Sequence, residues 1–165
     1  MEQRDAKPQG SVWRRKVADP LLRLLKQGVT PRQLAFGVAL GLVVGVFPVV
    51  GATTILCLVL ASVFRLNHIA VQTGNWVAYP FLLMLVIPFV RFGEFVTRSE
   101  QFPISPARLK EVASEGAVVF FQTFSQAILH GIIGWSIVAP LAIALLFVAL
   151  LPLFRLWKRK EGSAG

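Results

Sequence analysis

The chain has few of the residues on which enzyme active sites, metal centres and disulfide frameworks depend. Its 165 residues include one cysteine, two histidines and eight acidic side chains. A single cysteine, Cys57, excludes an intrachain disulfide, and its apolar surroundings predict a buried free thiol. There is no HExxH zinc motif, and Gly51-Ala52-Thr53-Thr54 lacks the lysine of a phosphate-binding loop. We therefore expect no enzymatic activity, no catalytic residues, no bound metal and no cofactor.

Charged residues are also absent from three long segments of the chain. These segments run from Gln33 to Phe64, from Leu66 to Val90 and from Gly116 to Phe154. Hydrophobic residues make up 55% of the sequence and charged residues 15%, which is typical of a membrane protein. The sequence thus predicts an all-α integral membrane protein with one membrane domain at 30–156. It disfavours coupling to cations through a buried acid.

The first segment is too long for one ordinary transmembrane helix. About 31 residues would form a helix of roughly 46 Å, against a hydrocarbon core of about 30 Å. Pro48 lacks an amide donor and Gly51 tolerates a tight reversal, so we predict a helix break there and a re-entrant helical hairpin. The second segment fits one helix that crosses fully. The third is again too long and has candidate breaks at Gly131, Gly134 and Pro140.

The net charge of +9 would suggest nucleic-acid binding in a soluble protein, but the basic residues lie at the two ends of the chain. Eight of the 17 lysines and arginines precede Gln33, and four follow Phe154. The positive-inside rule therefore predicts that both termini are cytoplasmic and that 157–165 is a basic cytoplasmic tail. We place the loop from Arg91 to Glu115 outside, and we expect no nucleic-acid partner.

The N-terminal region divides into a polar lead at 1–10, which we predict to be disordered, and an amphipathic pattern at 11–28. The apolar arc holds Trp13, Val17, Leu21, Leu24 and Leu25, and the basic arc holds Arg15, Lys16, Arg23 and Lys26. This pattern predicts an interfacial helix with its basic groups near anionic lipid headgroups. A helix that binds a soluble partner is the alternative.

Three glycines, Gly37, Gly41 and Gly45, recur every four residues and share one helix face. In lipid, such a face lets another helix backbone approach closely. The partner is either internal or a second subunit or other membrane protein. We favour an internal partner, because the folded-back arm from Ala52 to Phe64 needs a surface to pack against.

Uncharged polar side chains form two stripes at helical spacing. The first stripe holds His68, Gln72, Asn75 and Tyr79, and the second holds Gln122, Gln126 and His130. Because such residues rarely face lipid, each stripe should point to the bundle interior or to a water-filled cavity. Two interpretations stay open, structural hydrogen bonding between helices or the lining of a substrate path. Arg65 and Asn67 join the candidate lining, since Arg65 near an interface can pair with an anionic headgroup.

A resemblance rests on one further set of residues. The set is Gly41, Gly45, Pro48, Gly51 and Thr54, then Arg65-Leu66-Asn67, then Trp76 and Pro80. This run resembles the bacterial inner-membrane family catalogued as domain of unknown function 2062, over roughly Thr30 to Val90. The chain departs from the family at Tyr79, where asparagine is usual. The resemblance implies a bacterial inner-membrane location and supplies no activity.

Two functional hypotheses remain. In the first, the protein transports a solute or handles lipids with anionic headgroups, through a path formed by the broken helix and the polar stripes. In the second, it is a non-transporting membrane interaction or assembly module, whose glycine face binds another protein. We favour the first.

Overall fold

The computed structural model describes residues 21, 23, 29–49, 51–101, 111, 112 and 114–162. The helices whose bounds lie among these residues are α1 (Pro31–Gly45), α2 (Ala52–Val63), α3 (His68–Thr97) and α4 (Ala117–Gly162). No strand lies among the described residues, so the all-α prediction is confirmed. The predicted lead at 1–10 and nearly all of the predicted amphipathic helix at 11–28 lie outside them.

Helix α1 begins at a capping box and ends before a tight turn. The Thr30 hydroxyl accepts from the Gln33 amide at 3.2 Å, and the Gln33 side chain accepts from the Thr30 amide at 3.2 Å. The helix ends at Gly45, and α2 begins after Gly51, whose φ is +88°. Only glycine adopts that angle without strain, although a Cβ added there would meet no heavy atom within 4 Å beyond its chain neighbours. Pro48 lies buried in the same connection.

Helices α1 and α2 run antiparallel. Phe64, just after α2, stacks edge-on against Phe36 near the start of α1, with ring centroids 5.9 Å apart. The connection at the other end packs on α4, where the rings of Phe47 and Trp135 are 5.0 Å apart. With 15 and 12 residues, the helices measure about 22 Å and about 18 Å. Each is therefore shorter than the hydrocarbon core of a bilayer.

Helix α3 differs from the single span that the sequence predicts. It has 30 residues, and its arms His68–Leu82 and Met84–Thr97 are bent by 79°. Pro80 and Pro88 lie inside it, and each removes a backbone hydrogen bond, which is the usual cause of a kink. The helix also continues seven residues beyond Val90, so the predicted loop from Arg91 begins too early.

Helix α4 is continuous for 46 residues, so the expected breaks at Gly131, Gly134 and Pro140 are wrong. A proline removes only one hydrogen bond, and the two glycines serve close packing instead. By length and composition Val118–Arg159 is enough to cross a membrane, and the two arms of α3 pass the same test together. The C-terminal part of α4 packs on α1, where Phe154 of α4 and Leu34 of α1 are buried in one cluster with Leu21.

The glycine face of α1 packs against the first arm of α3. A Cβ atom at Gly41 would overlap the backbone carbonyl of Val71. A Cβ atom at Gly45 would lie 2.9 Å from the backbone carbonyl oxygen of Asn75. From the other side, Gly74 of α3 fits against the Val38 carbonyl. The partner is therefore internal, but it is α3 and not the folded-back arm that we expected.

A second close crossing joins the other arm of α3 to α4. Side chains at Gly93 and Gly134 would overlap the carbonyls of His130 and Phe89, so the two backbones touch directly. Gly131 lies one turn away, against Pro48 and Val90. This crossing fixes the end of α3 against the polar part of α4.

Candidate functional site

Two helices end in the same unusual way, each with an arginine in the left-handed conformation. Arg65 follows α2 with φ +52°, and Arg98 follows α3 with φ +54°. In both, the following amide reaches back five residues, from Leu66 to the Ala61 carbonyl at 2.8 Å and from Ser99 to the Glu94 carbonyl at 3.0 Å. This is the Schellman helix end, whose left-handed position favours glycine.

Both arginine side chains are exposed, and no ion pair joins either one to another described residue. A left-handed backbone strains a residue with a Cβ by about 1–2 kcal/mol, and glycine would avoid that strain. A positive charge at a helix C-terminus regains only about 0.3–1 kcal/mol. The backbone therefore does not explain why arginine occupies these positions.

Arg98 lines a cleft of about 720 Å³ at the end of α3, together with both charged and apolar side chains. Clefts of this size are within the usual range for small-molecule sites. Arg91 and Glu94 line it with Arg98 and Ser99, and the Arg91 guanidinium donates to the Glu94 carboxylate at 2.8 Å. The cleft thus combines a compensated ion pair with Arg98, which forms no ion pair with another described residue.

Glu94 is a residue that the sequence analysis missed. Its side chain is 2% exposed, whereas the sequence places no acid inside the apolar segments. The predicted segment ended at Val90 because Arg91 is charged, but an ion pair between residues three apart lets both charges stay within a helix. The spacing of Arg91 and Glu94 was the available signal.

The second polar stripe lies beside this cleft. The Nε2 atom of His130 is 3.1 Å from the Ser99 hydroxyl, and Gln126 shares a smaller pocket of about 320 Å³ with these two residues. The Nδ1 atom of His130 is buried and has no hydrogen-bond partner in the part of the chain that the structure describes. Gln122, one turn further from the crossing, is exposed. Ser99 lines both the cleft and the pocket, so the two are neighbours.

The first stripe has a different environment. Asn67, which precedes the stripe, caps α3, and its side-chain oxygen accepts from the Ile69 amide at 2.9 Å. Asn75 is 2% exposed and lies where the backbones of α1 and α3 touch. The side-chain oxygens Oδ1 of Asn75 and Oε1 of Gln72 are buried and have no hydrogen-bond partner among the described residues. The remaining members of the stripe, His68 and Tyr79, are exposed.

The two stripes lie toward opposite ends of α3. Gln72 and Ser99 are 27 residues apart in the chain, a spacing of about 40 Å along a straight helix before the bend shortens it. At the level of Asn75, the glycine contacts bring α1 and α3 into backbone contact. The structure therefore brings His130 and Gln126 together with Ser99, which follows Arg98 in the chain, but does not bring the first stripe to them.

The described part of the chain contains no group of three or more His, Cys, Asp or Glu side chains that could hold a metal ion. Cys57, the free cysteine, is buried in the cluster that joins α1, α2 and α3. The polar groups at the end of α3 are instead suited to bind an anion, because an arginine and a serine hydroxyl both donate hydrogen bonds.

Comparison with known proteins gives one match. The sequence model of a bacterial family described as "uncharacterized protein conserved in bacteria" matches residues 14–162, which extends the resemblance well beyond Val90. No curated protein and no solved structure matches the chain. Because the match covers most of the sequence, this protein belongs to that family, domain of unknown function 2062.

Proposed function

We propose that this protein is an integral protein of the bacterial inner membrane that handles lipids with anionic headgroups, and that it is not an enzyme. The observation that carries the proposal is the pair of exposed arginines at strained helix ends, Arg65 and Arg98. The guanidinium group matches phosphate in geometry and binds it through two parallel hydrogen bonds. Strain that the fold does not require is a reason to look for a function.

The membrane location is supported by length and exposure. Helix α4 measures about 69 Å, enough to cross a bilayer and extend beyond it. Large apolar side chains on α2 and α4 are exposed, among them Ile55 (66%), Val63 (67%), Leu141 (64%) and Val148 (67%). In water such surfaces would favour aggregation, whereas in a bilayer they would contact lipid. The short antiparallel helices α1 and α2 fit a re-entrant hairpin.

The distribution of charge supports a cytoplasmic location for both termini. The starts of α1 and α3 and the ends of α2 and α4 share one end of the molecule, which includes Arg32, Arg65, Arg155, Lys158 and Arg159. The opposite end, near Arg98, also includes described acids such as Glu94 and Glu100. By the positive-inside rule, the basic end is cytoplasmic and Arg98 faces the periplasm. The two strained arginines then serve opposite leaflets.

The alternative, an assembly module that uses the glycine face, is less well supported. The groove beside Gly37, Gly41 and Gly45 already holds α3, so a partner would have to displace a helix of the same chain. A solute path is also less well supported, because direct backbone contact at Asn75 leaves no channel between α1 and α3 there. A homo-oligomer that uses the exposed apolar surfaces remains compatible with lipid handling.

Replacing each arginine with glycine tests the headgroup proposal without straining the fold. Full-length protein in detergent is titrated with phosphatidylglycerol, and bound lipid is counted by native mass spectrometry. Loss of a charged hydrogen bond should weaken lipid binding at least fivefold in Arg65→Gly or Arg98→Gly. The free energy of unfolding should stay equal or rise by up to about 1 kcal/mol, because glycine suits the left-handed position.

Arg159→Gln is the control, since it removes the same charge from an exposed position on α4. It should weaken binding less than twofold, and phosphatidylcholine should bind all variants alike. Equal phosphatidylglycerol affinities in the three variants and the parent would reject specific headgroup sites. Orientation is tested separately with Arg65→Cys and Arg98→Cys in a Cys57→Ala background. The first should react with an impermeant thiol reagent only from the cytoplasm, and the second only from the periplasm.

A further inference from the structure

A groove of about 350 Å³ lies between α1, α3 and α4, beside the bend of α3. Its described lining comes from apolar residue types on all three helices, among them Val46, Ala78, Phe89 and Trp135. Alanines at 78, 139 and 142 leave the space that larger side chains would fill. The groove thus results from small residues on two helices together with the 79° bend.

The one polar side-chain group in the described lining, the indole N–H of Trp135, is hydrogen-bonded within the protein. The indole nitrogen of Trp135 donates to the Val43 carbonyl at 2.9 Å, across 92 positions of sequence. The side chains therefore offer only hydrocarbon to an occupant. Water needs two to four polar partners to occupy a cavity, so it would bind poorly here.

We propose that this groove binds one acyl chain of a membrane lipid. The proposal rests on the proposed membrane location and is independent of the headgroup sites. The groove lies along Trp135–Leu146, within the uncharged stretch of α4, where lipid chains are the surrounding solvent. A 150 Å³ apolar cavity holds benzene, so 350 Å³ suits roughly a dozen carbon atoms of a chain. If the groove were empty, the side chains that line it would lose dispersion contacts.

Trp135 allows the occupant to be detected by fluorescence. The protein is reconstituted with phospholipids brominated along the chain, which quench tryptophan only on contact, and three tryptophans (13, 76 and 157) are changed to phenylalanine. We expect strong quenching of Trp135. Ala142→Phe should fill the groove and lower that quenching at least twofold. The matched control is Ala144→Phe, which adds the same ring at an exposed position two residues away and should leave quenching unchanged.

Three further outcomes are informative. If Ala142→Phe does not fold, Ala142→Leu should give a smaller decrease in the same direction. Quenching that no filling substitution lowers, or that is absent at Trp135, would overturn the proposal, since another segment or a second copy would then occupy the groove. A second protein that retains only Trp76, which is 67% exposed, tests the membrane location itself. If Trp76 is not quenched, the membrane location fails together with the groove.

Discussion

Two crossings between the described helices bring backbones into contact, and they are built differently. Between α1 and α3, three glycines on one helix form a regular face, and Gly74 completes it from the partner. Between α3 and α4, each helix supplies its own glycines, with Gly93 against His130 and Gly134 against Phe89. The first crossing is a repeated pattern within one helix. The second crossing brings together residues from different helices, about 40 positions apart in the chain.

This difference shows what a sequence pattern reveals about packing. A four-residue repeat lies on one helix face whatever the rest of the chain does, so Gly37, Gly41 and Gly45 indicate a packing surface directly. Gly93 and Gly134 share no helix, so nothing local distinguishes them from glycines that break a helix. The same residue type therefore predicted packing in α1 and was mistaken for a break in α4.

The largest effect should come from the second crossing. A methyl group at Gly93 would overlap the His130 carbonyl, which is helix backbone and cannot rotate away. We expect Gly93→Ala to lower the free energy of unfolding by about 3 kcal/mol, despite the better helix propensity of alanine. The measurements are the thermal unfolding midpoint and the monodisperse fraction in detergent.

Gly131→Ala is the control within the same crossing. Its methyl group would lie 3.2 Å from a Pro48 side-chain carbon and 3.3 Å from Val90, so small shifts can accommodate it. We expect a change within about 1 kcal/mol. Equal stabilities for Gly93→Ala and Gly131→Ala would contradict the backbone contact between α3 and α4.

The next effect should come from the first crossing. In Gly41→Ala, the added methyl group would overlap the Val71 carbonyl, with the Asn75 amide nitrogen 3.0 Å away. We expect a loss of about 2 kcal/mol, because three glycines share this contact and the helices can separate slightly. In Gly37→Ala, the methyl group would lie 3.2 Å from the Ala70 Cβ and at least 3.6 Å from Val71, so the free energy of unfolding should change by less than about 1 kcal/mol. Equal losses of stability in Gly41→Ala and Gly37→Ala would contradict a closer contact with α3 at Gly41 than at Gly37.

Much of the architecture follows from residues that act locally. Thr30, Gln33 and Pro31 define the start of α1, and the turn after Gly45 contains Pro48 and Gly51 where the sequence predicts a break. Other features depend on tertiary contacts. Val43 is on the helix side away from Gly41, which would suggest a lipid-facing position, yet it is buried and accepts the Trp135 hydrogen bond.

The candidate site was only partly visible in the sequence. His130 and Gln126 were identified from their spacing, but their neighbours Ser99 and Glu100 come from the end of another helix. Charge was used to end the second segment at Val90, and that rule excluded Glu94. The bend of α3 could not be located, because Pro80 and Pro88 are both compatible with a straight or a kinked helix in a membrane.

A smaller effect should come from the helix start that leads into the first crossing. Asn67 caps α3 by accepting from the amides of Ile69 at 2.9 Å and Ala70 at 3.3 Å. Asn67→Ala should lower stability by about 1 kcal/mol, and Asn67→Ser should restore most of it, because serine is also a good cap. The measurement is the unfolding midpoint. A loss of phosphatidylglycerol binding without a loss of stability would instead make Asn67 part of a headgroup site.

The smallest effect should come from Asn75, which separates structural hydrogen bonding from a substrate path. Its side-chain oxygen Oδ1 is buried without a hydrogen-bond partner among the described residues, so the side chain contributes no hydrogen bond to them through that atom. Replacing such a group with an apolar one of similar size is nearly neutral, so Asn75→Leu should change stability by less than about 1 kcal/mol. Asn75→Cys in a Cys57→Ala background should also stay unreactive toward a small water-soluble thiol reagent, whereas Gln126→Cys, at an exposed position, should react. Rapid labelling of Asn75→Cys would mean that water reaches the first crossing, and the substrate path would then replace lipid handling as the better-supported function.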